Sequence, residues 1–173
     1  DGGAQAQDGT RESDIALQLA KLMLEENANS SIRLILTRAV DEYQHPVTKS
    51  ELATKNNADL FVSLHAAADP DRNSSGIEIF VPSWDTLRHY TASYNFGNTI
   101  ANKLSSIPAK VSIRQRKTGI WVINASTCPA VLIEAGYLTN PSDLQHLKNN
   151  AYMRNLARNI LSGIESYLDK YGR

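Results

Sequence analysis

The sequence predicts a single-domain α/β fold, a mainly parallel twisted sheet with helices on both faces, and three observations carry that expectation. Short apolar runs alternate with helical patterns along most of the chain, as they do when parallel strands are joined by crossover helices. Val131, Leu132 and Ile133 are apolar at consecutive positions and lie between Pro129 and Gly136, the pattern of an inner strand buried on both faces. The 173 residues, 42% of them hydrophobic, suffice for one real core, and no repeat, low-complexity tract or long linker divides them.

Each element follows from a local pattern. Residues 1–13 are polar and glycine-rich, a loop, after which Ile15, Leu19 and Leu22 recur at spacings of four and three on one helix face, with Glu12 just before it. Residues 32–36 read as a strand. Pro46 opens a second helix to about residue 56, as proline does in a first helical turn. Residues 60–64 form the next strand, a polar loop leads to Gly76, and residues 77–81 form a strand closed by Pro82. Phe96, Ile100 and Leu104 are in register on a helix over residues 94–104. Residues 105–118 read as an irregular basic connection, residues 120–123 as a strand, and residues 131–133 as the strand that runs into Glu134. Asn140-Pro141 caps and starts a short helix to about residue 148, and the last helix, about 152–171, buries Leu156, Ile160, Ile164 and Leu168.

Eighteen basic residues balance eighteen acidic ones, so no net field points to nucleic acid or to an anionic membrane. No apolar run approaches the roughly 20 residues of a transmembrane segment, and the start shows no signal-peptide pattern, which predicts a soluble mature chain. One cysteine, Cys128, argues against a disulfide scaffold and is compatible with cytoplasm or periplasm.

Two apolar runs end in a polar side chain: Asp59-Leu60-Phe61-Val62-Ser63-Leu64-His65 and Pro129 to Glu134. An unpaired buried charge is too costly to keep, so Glu134 needs a cation, a metal, hydrogen-bond donors or a proton. Strand ends at the carboxyl edge of an open α/β sheet are also where ligands bind, so the two residues are expected to face one cleft. Glu12 and His65, with Glu134 as a third member, are the residue types of a catalytic zinc site, in which three protein ligands leave room for water and a nearby glutamate acts as general base. No short motif such as H-E-x-x-H is present. The residues alone therefore leave open a metal hydrolase, structural roles, and a cysteine hydrolase built on Cys128 and His65. Against the last, six strand residues at about 3.3 Å each place Cys128 about 20 Å from the edge where His65 ends, and Cys128 reads as a packing residue. His45, His89 and His146 read as surface residues. Arg114, Arg116 and Lys117 form a basic cluster, either a solvated face or a grip on a substrate carboxylate.

Five segments carry a resemblance: Gly9-Thr10-Arg11-Glu12-Ser13-Asp14-Ile15, Leu36-Thr37-Arg38, Ala58 to Ala66, Gly76-Ile77-Glu78-Ile79-Phe80, and Pro-Ala-Val-Leu-Ile-Glu-Ala-Gly-Tyr-Leu-Thr-Asn from Pro129 to Asn140. In these the chain resembles the catalytic domain of the zinc-dependent N-acetylmuramoyl-L-alanine amidases, bacterial hydrolases that cut peptide stems from cell-wall glycan. The resemblance implies Zn2+ as cofactor, Glu12 and His65 as ligands, Glu134 as catalytic glutamate, peptidoglycan or muropeptides as substrate, and a periplasmic or extracellular place of action. It also implies a further histidine ligand in a Gly-His-Gly-Gly segment ending a first strand, which would fall before Asp1. Residues 1–173 are thus expected to be an amidase catalytic domain without that strand and histidine. Position 67 is alanine where many relatives have asparagine. Only residues 82–93 link the strand at 77–81 to the next helix, too few for the plugging helix some relatives insert there, so no activator protein is expected to be required. The alternative is a metal-free, amidase-like domain that binds peptidoglycan or a partner without cleaving it.

Overall fold

The computed structural model describes residues 2–83, 89–115 and 120–172. The elements run α1 (Glu12–Glu26), α2 (Pro46–Lys55), β1 (Phe61–Ala67), β2 (Ile77–Val81), α3 (Tyr90–Leu104), β3 (Val111–Gln115), α4 (Trp121–Asn124), β4 (Ala130–Tyr137), α5 (Pro141–Lys148) and α6 (Asn150–Tyr171). The strands form one sheet in the order β1-β4-β2-β3. β4 is parallel to β1, β3 is parallel to β2, and β2 is antiparallel to β4, so two of the three pairings are parallel.

The two-residue period of the strands sorts side chains between two cores. Ile77, Ile79, Val81, Val131 and Ile133 face the larger one, where Leu19 of α1, Phe96 and Ile100 of α3, and Leu156 and Ile160 of α6 are fully buried. Phe61, Phe80, Ala130 and Leu132 face a smaller one closed by Ile120, Ile123 and Cys128, with Ala53 of α2 packed against it. Helices therefore cover both faces, as the alternating pattern predicts. α3 and α6 approach so closely that a Cβ on Gly163 would lie 2.7 Å from the Ile100 Cα. Alanine improves helix propensity by about 1 kcal/mol, but here it meets backbone that cannot rotate away, and overpacking costs about 1–3 kcal/mol. Gly163→Ala should lower stability by about 1–2 kcal/mol, or roughly 2–8 °C in Tm for a chain of this size; a calorimetric Tm at or above wild type would show that the helices separate freely.

The end of β4 is tied down by Asp143. Its buried carboxylate accepts from the backbone N–H of Gly76 (2.8 Å) and of Tyr137 (3.0 Å), joining the start of β2 to the end of β4. Asn140 caps α5 by accepting from the backbone N–H groups of Ser142 and Asp143, as its sequence position predicts.

Four expectations need correction. Residues 32–36 are not a strand: a strand exists by pairing, and a trench of about 810 Å³ separates this segment from the outer edge of β1. Residues 120–123 belong to the turn of α4, because Ile120 and Ile123 at a spacing of three point together into the smaller core. The strand lies instead at β3, inside the stretch read as irregular, where Val111 and Ile113 alternate with polar residues as on a sheet edge. β4 continues three residues past Glu134, so Glu134 is within its strand and not at its end. The elements otherwise match, with α3 starting a turn earlier than expected and Leu168 only partly buried.

Candidate active site

The same period that builds the smaller core builds the site. His65 of β1 is opposite Glu134 of β4, Glu134 is opposite Glu78 of β2, and Glu78 is opposite Ser112 of β3. These positions share the face that carries Phe61, Leu132 and Phe80, so half of that face is apolar and packed and the other half is a polar row crossing all four strands. The expected common cleft for His65 and Glu134 is therefore on a face of the sheet. It does not lie at the edge beyond the strand ends, because β1 and β4 both continue past these residues.

Glu12, the first residue of α1, reaches His65: the Nδ1 and Oε1 atoms are 2.6 Å apart, the ring donating to the carboxylate. The other ring nitrogen, Nε2, is 3.0 Å from Ser63 Oγ, so both nitrogens are engaged and the ring orientation is fixed. The second Glu12 oxygen accepts from the Ala4 backbone N–H at 2.9 Å. Burial alone would raise the Glu12 carboxyl, but the bonds from His65 and from the Ala4 and Ala66 backbone outweigh it and hold the group below its ordinary range. Gly3, at φ +67°, makes the close wrap possible, since a Cβ there would fall 2.3 Å from Glu12 Oε2. Ser63, Gly3 and Ala4 were not singled out in the sequence. Ser63 alone was findable, two residues before His65 on the same strand face.

Glu78 accepts from Arg114 Nε at 2.6 Å, bringing the arginine of β3 to the polar row. The Tyr137 phenol, near by, is pushed up to about 12 by burial and then by the Glu78 charge. Arg116 and Lys117, predicted partners of Arg114, lie outside the described residues, as do five residues of the 82–93 link.

The remaining candidates stay apart. Cys128 is buried in the smaller core, which raises its thiol pKa and disfavours the nucleophilic thiolate. His45 caps α2, its Nδ1 accepting from the Val47 backbone N–H, His89 precedes α3, and His146 stacks on Tyr152. Among the described residues no three His, Cys, Asp or Glu side chains gather closely enough to hold a metal ion. The Glu12–His65 pair has the oxygen and imidazole donors that zinc takes, and would account for two of the three protein ligands that a catalytic zinc site uses.

Fold and site together define an α/β domain with a carboxylate-rich polar row on one sheet face. The chain belongs to the N-acetylmuramoyl-L-alanine amidase family, whose sequence profile matches residues 1–166. It is 26% identical over 209 residues to the N-acetylmuramoyl-L-alanine amidase AmiC of Escherichia coli O6:H1, covering 96% of this chain and 50% of that protein. The chain thus spans half the length of that relative. The catalytic domain of CwlV, an amidase from Bacillus (Paenibacillus) polymyxa var. colistinus, superposes with a TM-score of 0.87 at 27% identity, covering 98% of this chain and 92% of that one. The CwlD amidase of Clostridioides difficile, solved in complex with the GerS lipoprotein, gives 0.84 at 26% identity, covering 98% and 93%.

Proposed function

We propose that the chain is the catalytic part of a peptidoglycan hydrolase that cleaves the amide between N-acetylmuramic acid and the L-alanine of the stem peptide. The observation that supports this most is the Glu12–His65 pair with Glu134 directly across from it on the same sheet face, in a chain of the amidase family. Glu12 Oε1 and His65 Nδ1 would hold Zn2+; the His65 proton, on Nδ1 in the pair described above, would then sit on Nε2 and be donated to Ser63 Oγ. Zinc, when bound, supplies polarisation of the lactyl carbonyl and acidity to the attacking water. Glu134 takes the proton from that water and returns it to the departing alanine nitrogen, acting first as base and then as acid. The resemblance implies, as the third ligand, a histidine in a segment before Asp1. Such a segment would pair as a strand with the outer edge of β1, in the trench that Leu60, Val62 and Leu64 line together with Ile32 and Leu34. Gly3 and Glu12 line the same trench, so chain entering Gly2 from it would arrive beside the pair.

The reaction takes place where the substrate is, in the periplasm or outside the cell. No helix among the described residues is long and apolar enough to cross a membrane. The catalytically silent alternative, a domain that binds peptidoglycan or a partner, draws on the absence of a third donor among the described residues. Incubating the purified full-length protein with muropeptides decides between the two. An amidase frees the amino group of L-alanine without creating a new reducing sugar end, and cleavage is expected without any added activator. Binding without release would favour the silent domain, and release only after a partner is added would overturn the activator-free expectation.

A further inference from the structure

The geometry points to Arg114 as the residue that reads a carboxylate on the peptide side of the scissile bond, with Glu78 as its positioning residue. This deepens the amidase reading and rests on it. Arg114 shares the sheet face of His65, Glu134 and Glu78, since it lies two residues beyond Ser112, the partner of Glu78. Its Nε–H donates to Glu78 Oε1 at 2.6 Å. The Glu78 side chain is 14% exposed and that of Arg114 is 55% exposed, so a largely buried carboxylate anchors the inner edge of a guanidinium whose outer part meets solvent. One of five N–H donors is used in that bond, and the planar fork that remains suits a second carboxylate.

An anionic ligand has reason to need it. Glu134 and Glu78 are neighbours on the polar row, and on the β3 side of it, away from the Glu12–His65 pair, Arg114 is a cation that the structure brings to the row to offset their charge for an anionic peptide. The dimensions agree. Neighbouring strands are about 4.8 Å apart, which puts the Arg114 Cα roughly 10–12 Å from that of Glu134, two strands over and diagonal. A carboxylate two peptide residues beyond the scissile amide is about 7 Å away at roughly 3.5 Å per residue, and the arginine side chain spans the difference. The ligand class is therefore a stem peptide that carries a free carboxylate on its second residue. The exposed outer part of Arg114 is not needed to pair Glu78, which its Nε–H already reaches.

The test compares two muropeptides that differ only in a free carboxylate or a carboxamide at that second residue, cleaved by the full-length protein. Wild type should prefer the carboxylate at least about tenfold in kcat/KM, mostly through KM. In Arg114→Ala the ratio should fall to near one, and Arg114→Lys should restore part of it, since lysine keeps the charge without the fork. Glu78→Gln should also shrink the ratio. Damage to the fold scales both rates alike and cancels. Equal rates of the two substrates with wild type, or an undiminished ratio in Arg114→Ala, would overturn the assignment. Failure of wild type to cleave either one would instead overturn the amidase reading, and this inference with it.

Discussion

Replacing Glu134 by glutamine is expected to leave the fold and the zinc content near wild type while lowering muramoyl-alanine hydrolysis by at least about a hundredfold, the scale of a lost general base. The substitution is nearly isosteric and removes the proton-accepting charge. Glu134 stands in β4 between Ile133 and Ala135, which are buried in the larger core, and directly across from His65 and Glu78 on neighbouring strands. The backbone on which it is presented is therefore fixed by packing on both faces, and an amide in place of the carboxylate has no reason to move it. Because Glu134 is not one of the residues proposed to hold zinc, metal content separates its role from that of Glu12 and His65. Alanine at either of those two should empty the site. Near-normal turnover by Glu134→Gln would remove Glu134 from the chemistry.

The helices and inner strands were legible in the sequence because burial on a period leaves an unambiguous trace. Pro46, Asn140-Pro141 and the Phe96-Ile100-Leu104 series located α2, α5 and α3 by caps and spacing that owe nothing to distant partners. The misread elements depend on their neighbours. β3 is an edge strand with half of its surface in solvent, so Val111 and Ile113 are too few to announce it, and residues 32–36 have strand composition but no hydrogen-bonded neighbour in the sheet. The site shows the same division. His65 and Glu134 were visible as polar interruptions of apolar runs, whereas Glu78 alternates with apolar residues as any surface strand position does, and only the antiparallel register of β2 and β4 brings it opposite Glu134. Nor could the Ala4 backbone bond to Glu12 be read before the loop was seen to fold back on α1.

Protein comprising Asp1 to Arg173 is expected to bind zinc weakly and to hydrolyse little, and a form extended upstream through a Gly-His-Gly-Gly segment to bind about one zinc per chain and to cleave the muramoyl-alanine bond in a chelator-sensitive way. Zinc affinity depends on the number of ligands and on a preorganised shell, and Glu12 with His65, the pair proposed to hold zinc, would supply two of three. The other histidines are held elsewhere: His45 at the start of α2, His89 before α3 and His146 against Tyr152. Moving any of them to the pair would require an element of the fold to be rebuilt. The trench gives the extension a second effect. A strand pairing with β1 would satisfy the backbone groups along its outer edge and bury Leu60, Val62 and Leu64 more fully, so the longer form should also unfold at a higher temperature even with zinc removed. That metal-free difference separates the strand from the ligand. A gain in zinc binding and activity without any gain in apo stability would place the histidine on a flexible arm outside the sheet. Full activity and stoichiometric zinc in the short form would show that the third ligand lies within these 173 residues.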